Sequence, residues 1–405
     1  MEEKKESPDM LDLLIRPGFY VADNKIVRLN AAAQGLLLSP GDDIRPLILA
    51  GAEDYEAFQG GCLYLRLALS ASGVGACVTK SGDVDVFVLE AESADRALQA
   101  LSLAARELRV PLAAVMISSS ALQSRTDDPE SAAQAAHLNR GLHQLLRLVG
   151  NMSDAGRIPG LAQQETTDLS ELFFEIFEKA ATLAQSVGVT ITYRGPEKSV
   201  ICLADRDLLE RAVLNLISNA LKFTPAGGTI SANLVCIGKR IRLSIRDSGS
   251  GVAENLMGSL FSRYLRQPCI EDGRYGLGLG MVLVRSAAAA HGGAVLIDQP
   301  EGCGTRVTLT LALRKNPPGM LRSPVMRVDY SGERDHALVE LSDCLPAELY
   351  GKEKLDSLKY ITVWHCEPVQ KTGVTIRLLC VPMGRAMLCI AGKYGLPRRP
   401  SASSQ

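Results

Sequence analysis

Leu214-Asn-Leu-Ile-Ser-Asn-Ala-Leu-Lys-Phe-Thr224, stopped by Pro225, is the stretch on which the reading turns. Asn215, Asn219 and Lys222 fall at i, i+4 and i+7, so a helix here presents two amides and an ammonium on one face. Amide oxygens ligate Mg2+ directly or through water, and an ammonium meets phosphate charge. Taken alone, the same face also reads as the polar side of an amphipathic helix.

The segments downstream bear on that choice. Arg246-Asp-Ser-Gly-Ser-Gly251 ends a strand candidate on a carboxylate, Asp247, and the glycines permit a tight turn and close ligand approach. Such a carboxylate accepts a hydrogen bond from an exocyclic amine such as adenine N6, although Asp-x-Gly-x-Gly by itself is a common turn. Gly276-Leu-Gly-Leu-Gly280 opens a helix, whose N-terminal backbone N–H groups favour anions. Gly302-Cys-Gly-Thr-Arg306 leads into an alternating strand.

In this order and spacing the segments resemble the N, G1 and G2 boxes and the terminal Gly-x-Gly-Thr of the sensor histidine kinase catalytic domain. That domain shares its ATP fold with gyrase, the heat-shock chaperones and the mismatch-repair ATPases. Leu260-Phe-Ser-Arg-Tyr-Leu-Arg266 resembles the family's F box. The resemblance covers 166–313 and implies an α/β-sandwich ATPase domain with ATP and Mg2+ as cofactors. Carried over by position, Asn219 and Asn215 hold Mg2+ on the triphosphate, and Lys222 and Arg266 face phosphate. Asp247 reads adenine in a pocket shaped by Gly249 and Gly251. Gly276, Gly278 and Gly280 form a mobile ATP lid, and Thr305 of the terminal motif joins the nucleotide site. Phosphoryl transfer is mostly positioning and charge neutralisation, which these residue types supply.

Upstream, Leu98, Leu101, Ala105, Leu108, Leu112 and Val115 recur at spacings of three and four, a helical signature. Pro111 is expected to kink or break that helix. Thr126-Asp-Asp-Pro-Glu130 signals a turn and a new helix start, and Ala135, Leu138, Leu142, Leu145, Leu148 and Met152 stripe the second helix. Two such helices cannot bury their stripes alone. Residues 93–155 are therefore expected to form an antiparallel dimerisation hairpin that pairs as a four-helix bundle in a homodimer.

Ala105-Arg-Glu-Leu-Arg-Val-Pro-Leu112 resembles the family's His-Glu-Leu-Arg-x-Pro-Leu, in which His accepts the γ-phosphoryl group. Glu107, the implied base, matches, as do Leu108, Arg109, Pro111 and Leu112, but Arg106 holds the acceptor slot. Imidazole presents a neutral nitrogen near pH 7; a guanidinium, with a pKa above about 12, has no lone pair to attack with. The resemblance thus implies a two-component sensor kinase that binds ATP for phosphoryl transfer but cannot autophosphorylate in the usual way. The alternative is a degenerate pseudokinase serving as a dimeric scaffold without catalysis. A response regulator or partner kinase is the implied partner. His137 and His143 read as surface or bundle-packing residues. His291, at a helix end, reads as a cation favoured by the macrodipole.

Residues 17–92, within a first domain of 1–92, read as short strands and turns. Two strands over 18–30 meet at Asp23-Asn24, Ala31 to Leu38 is a short helix candidate, and 63–68, 75–79 and 83–90 alternate as strands. This order resembles a PAS sensor domain. It has no His for haem, and Cys62 and Cys77 read as core thiols. Residues 314–405 are unassigned: Asn316-Pro-Pro-Gly is a linker, Asp335 to Leu345 a helix candidate, and the end from Leu396 is expected to be disordered.

Composition bounds the rest. The 405 residues suggest two or three domains of about 150. With 44 Lys+Arg against 45 Asp+Glu, the net charge of −1 excludes a strongly basic nucleic-acid binder. The apolar runs Leu112 to Ile117 and Ala386 to Ala391 fall far short of the roughly 20 residues of a membrane span. The charged N-terminus is no secretory signal. The 10 cysteines contain no Cys-x-x-Cys pair and read as reduced thiols. The expectation is a multidomain α+β protein, cytoplasmic, with no membrane span and no direct nucleic-acid partner.

Overall fold

The computed structural model describes residues 11, 14–36, 38–70, 73–90, 93–124, 128–155, 164–252, 279–300, 304–314, 335–351, 379–383 and 386–390. The first group of elements is β1 (Gly18–Ala22), β2 (Lys25–Leu29), β3 (Ile48–Ala50), α1 (Ala52–Glu56), β4 (Cys62–Leu67), β5 (Val74–Ser81) and β6 (Val84–Leu89). Two long helices follow, α2 (Ser93–Ser124) and α3 (Pro129–Ala155). Then come β7 (Glu165–Asp168), α4 (Leu169–Ala184), β8 (Thr190–Arg194), β9 (Ile201–Ala204), α5 (Arg206–Phe223), β10 (Thr229–Ile237) and β11 (Arg240–Asp247). After these lie α6 (Leu279–Ala290), β12 (Val295–Asp298), β13 (Arg306–Ala312), α7 (His336–Glu340), β14 (Leu379–Met383) and β15 (Ala386–Ile390).

The β1–β2 turn is made by Asp23 and Asn24 at φ 48° and 63°, the left-handed pair whose twist matches a two-residue hairpin. The helix expected over 31–38 is only a 3-10 turn, Ala31–Ala33, and Gly35 and Pro40 oppose its extension. Its cap, Asn30, is committed to the sheet as well: Oδ1 accepts from Gly18 N–H at 3.1 Å and Nδ2 donates to the Arg16 carbonyl at 2.7 Å. Phe19 and Phe87 stack in the core of this region.

The sheet of residues 18–89 does not end at its own edge. β4 pairs antiparallel with β12, setting Tyr64 opposite Val295 and Cys62 opposite Ile297. One 11-stranded sheet results, in the order β2-β1-β6-β5-β4-β12-β13-β11-β10-β8, with β3 alongside β4. Gly61, at φ +86°, permits this approach, since a Cβ there would run into the Ile297 carbonyl. The seam is polar at its flanks: Arg240 pairs with Asp54 at 3.1 Å, and buried Arg285 pairs with Glu90 over the Tyr64 ring. Cys62 and Cys77, expected as thiols, form a disulfide, because the β4–β5 register brings their Cα atoms to 6.6 Å.

α2 and α3 pack as a hairpin, and α2 continues through Pro111 instead of breaking there. The proline forfeits one backbone bond, and the helical turns on either side persist. Ala105, Met116, Leu142, Leu146 and Val149 are buried, whereas Leu108, Val115, Leu138 and Leu145 of the expected stripes are exposed. In the ATPase-like region, α4 packs on β8, α5 on β11 and α6 on β13 over one continuous core. Among the described residues no helix is long and apolar enough to cross a membrane.

Candidate functional site

Along β11, Ile241, Leu243, Ile245 and Asp247 are buried in alternation. The strand's period of two therefore sets a carboxylate where the pattern calls for an apolar side chain, on the face that packs α5. Burial is tolerated because Asp247 Oδ1 accepts from Gly249 N–H at 2.8 Å and Thr305 N–H at 3.2 Å. Gly249 is closed in on the other side, where a Cβ would meet the Phe223 carbonyl at the end of α5. Gly251 follows in the same loop at φ +76°.

α5 begins at Asp205, which caps Leu208 N–H at 3.1 Å, and ends before Pro225. Arg211, Asn215, Ser218 and Lys222 lie on one face, one turn after another. Asn215 is wholly buried. Its Nδ2 donates to the Arg211 carbonyl at 2.9 Å and to Glu340 Oε2 at 3.1 Å, while Oδ1 accepts from Arg147 Nη2 at 3.2 Å. Lys222 Nζ donates to Asp343 Oδ2 at 2.9 Å. Asn219 turns instead toward α6, with Nδ2 at 3.6 Å from Met281 Sδ. Gly280, in the first turn of α6, adjoins Asn215.

Residues 335–351, which sequence analysis leaves without chemistry, thus enter the site. Glu340 is fully buried and accepts from Arg211 Nε at 3.0 Å and Arg147 Nε at 3.3 Å besides Asn215. Asp343 pairs with Lys222 and with Arg147. Burial pushes the Asp343 carboxyl up, but Arg147 and Lys222 outweigh it and hold the group below its ordinary value. Arg211 escapes the sequence reading, although its place one turn before Asn215 on the same helix face is a signal that could have found it. Arg147 lies on a hairpin helix, and Glu340 and Asp343 have no local motif, so nothing in their own segments marks them. The helix expected from Asp335 to Leu345 is α7 alone, continued by turns.

Arg106 and Glu107 are exposed on α2. His137 is exposed; His143 is buried, its Nδ1 at 2.8 Å from the Asn139 carbonyl and its ring edge-on to Tyr350. His291 is not the cation expected at a helix end. Its Nε2 accepts from Asp205 N–H at 2.9 Å and its Nδ1 donates to the Ala287 carbonyl at 2.7 Å, a neutral imidazole, with its pKa depressed by burial. Arg266, Gly276, Gly278 and the segment 260–266 lie outside the described residues.

Residues 204–315 match the family described as histidine kinase-, DNA gyrase B-, and HSP90-like ATPase. Among curated proteins, the sensor-like histidine kinase SenX3 of Mycolicibacterium smegmatis is 27% identical over 52% of this chain and 56% of its own length. The sensor protein KdpD of Mycobacterium tuberculosis is 31% identical over 54% of this chain and 26% of its own. The histidine protein kinase DivJ of Caulobacter vibrioides is 31% identical over 56% of this chain and 39% of its own. The chain therefore spans little more than half of the first of these and less of the others. A solved structure of full-length ShkA in complex with AMPPNP is 26% identical, covers 53% of this chain and 46% of that chain, and gives a TM-score of 0.45. Residues 204–315 are thus similar to the histidine kinase-, DNA gyrase B- and HSP90-like ATPases, in a chain that is similar over about half its length to sensor histidine kinases.

Proposed function

We propose that this chain is a two-component sensor kinase whose residues 166–313 bind ATP with Mg2+. The observation that carries the reading is the buried Asp247 carboxylate at the end of an otherwise apolar strand face, held by the backbone N–H groups of Gly249 and Thr305. The donor set fits the ligand: amides for a hydrated divalent cation, an ammonium for phosphate, and a buried carboxylate for an exocyclic amine. Asn219 and Asn215 would hold Mg2+, Lys222 and Arg266 the phosphates, and Asp247 the adenine amine, with Gly249 and Gly251 shaping its pocket and Gly276, Gly278 and Gly280 serving as the ATP lid. Bound ATP would supply the transferable phosphoryl group.

Residues 1–92 serve in this reading as a PAS-like sensor and 93–155 as the dimerisation hairpin of a cytoplasmic homodimer that signals to a response regulator or partner kinase. Exposed Leu103, Val110 and Ile117 on α2 support the pairing, because they are large apolar groups that the hairpin itself does not cover. Arg106 favours a second reading, a pseudokinase scaffold without catalysis, since it is exposed in the acceptor slot and has no nucleophilic lone pair. Titration of the full chain with a fluorescent ATP analogue and Mg2+ tests the nucleotide site. Binding that weakens in Asp247→Ala and Asn219→Ala supports it, and equally weak binding by all three chains rejects it.

A further inference from the structure

Residues 335–351 fold back between the hairpin and the ATPase domain. Asp335 caps α7 through Ala337 N–H at 2.9 Å and pairs with Lys179 of α4 at 3.2 Å. Leu338 and Leu341 join the core beneath α4 and α5, while Val339 packs against Met116 and Leu142 of the hairpin. The Tyr350 carbonyl closes the segment by accepting from Gln123 Nε2 at 3.2 Å.

The segment presents two carboxylates to α5. Glu340 takes the Asn215 amide and Asp343 takes the Lys222 ammonium, and Arg147 bridges both. In this arrangement every polar atom of the Asn215 side chain is hydrogen-bonded within the protein, and the Lys222 charge is neutralised. A segment needed only for packing would do as well or better with apolar groups, because buried ion pairs rarely repay their desolvation. Here the buried Glu340 and the half-buried Asp343 meet the side chains that the nucleotide reading assigns to metal and phosphate.

We propose that residues 336–350 are an intramolecular plug, in which Glu340 and Asp343 take the place of the metal-bound triphosphate on Asn215 and Lys222, so that plug and nucleotide exclude one another. The inference rests on the nucleotide reading of α5. Displacing the plug would leave Arg147, Arg211 and Lys222 without carboxylate partners from this segment, and an incoming polyanion compensates them. Because α3 supplies Arg147 and, through Arg140, a donor at 3.1 Å to the Ser342 carbonyl, the plug also ties the hairpin to the ATPase domain. A nucleotide that evicts it releases that tie.

The test uses the full-length chain and the double variant Glu340→Gln with Asp343→Asn, titrated with the Mg2+ complex of a non-hydrolysable ATP analogue. Amide hydrogen exchange of the wild type is followed with and without the analogue. The expected result is binding tighter in the variant by about tenfold or more, the factor set by the plug-free fraction of the wild type, with faster exchange over 336–350 when the wild type is saturated. Equal affinity with 336–350 still protected in the bound wild type overturns the plug and leaves the nucleotide site standing. No binding by either chain overturns the nucleotide reading and the plug with it. Should the variant fail to fold, the wild-type exchange decides: acceleration over 336–350 supports the plug, and unchanged protection overturns it.

Discussion

Asp247 and Thr305 hold each other by main chain and side chain: Asp247 N–H donates to the Thr305 carbonyl at 3.0 Å, and Thr305 N–H donates to Asp247 Oδ1 at 3.2 Å. The end of β11 and the start of β13 are thereby locked together beneath the loop that carries Gly249. Asp247→Ala removes the acceptor of two backbone N–H groups and is expected to cost about 1–3 kcal/mol in urea unfolding. Asp247→Asn keeps an oxygen for them but loses the charge. It is expected to retain most of that stability while weakening ATP-analogue binding by roughly tenfold or more. A variant that stays stable and binds as the wild type does would remove Asp247 from the site.

The β4–β12 pairing joins the N-terminal sheet to the ATPase sheet, and at Gly61, just before β4, there is no room for a Cβ beside the Ile297 carbonyl. Gly61→Val places a branched side chain at a left-handed φ against the Ile297 carbonyl, a strain of about 1–3 kcal/mol. The expected outcome is faster hydrogen exchange at 295–298 and at 62–64, with the buried centre of α5 unchanged. A variant whose exchange matches the wild type at these strands would mean that the seam does not hold the two sheets together in solution.

How far these features were legible follows from how local their signals are. The elements of the ATPase domain declared themselves: α5 by its apolar periodicity and its Asp205 cap, β10 and β11 by strict alternation. Asp247, Asn215 and Lys222 stood out as candidates because motif residues are close in sequence. The β4–β12 joint was not, since an edge strand's partner is set by shape and register across more than 200 residues of chain. Glu340 was invisible for the same reason: a carboxylate in a short helix becomes a site residue only through Arg211 and Asn215, far earlier in the chain. His291 was misread because burial, not position on its helix, sets its charge.

That neutral His291 has a pH consequence. Burial lowers its pKa from 6.5, so the unfolded chain takes up this proton first as the pH falls. Its contribution to stability is complete above 6.5 and declines below it, until the folded imidazole also titrates. Urea midpoints taken between pH 7.5 and 5 should fall with acidification, and His291→Gln should flatten that part of the curve. A variant with the same slope as the wild type would assign the acid sensitivity to other groups.

The apolar groups that α2 shows to solvent are expected to be covered by a second copy of the hairpin. Light scattering of the wild type should give a mass near twice 43.4 kDa. Val110→Asp with Ile117→Asp changes two strongly exposed positions, so the fold should survive while the dimer dissociates at micromolar concentration. Persistence of the dimer in this variant would move the interface elsewhere, and a wild-type monomer at high concentration would exclude the bundle.

Arg106 gives the decisive chemical experiment. It is exposed on α2, one residue before the exposed Glu107, and the helix runs unbroken past Pro111, so an acceptor turn of the kind the resemblance implies would keep its backbone and differ in the nucleophile alone. If bound ATP still delivers its γ-phosphoryl group to this turn, the wild type takes up no acid-labile, alkali-stable label from γ-labelled ATP. Arg106→His should then acquire such label, because imidazole supplies the missing lone pair and Glu107 the neighbouring base. The plug adds an order to the yields: Arg106→His combined with Glu340→Gln and Asp343→Asn should label faster than Arg106→His alone, since its ATP site is open for more of the time. Label on the wild type would point to exposed His137 as the acceptor, buried His143 being shielded by Tyr350. No label on either variant, with ATP binding demonstrated on the same samples, would mean that the ATPase domain does not reach this helix, and the scaffold reading would stand.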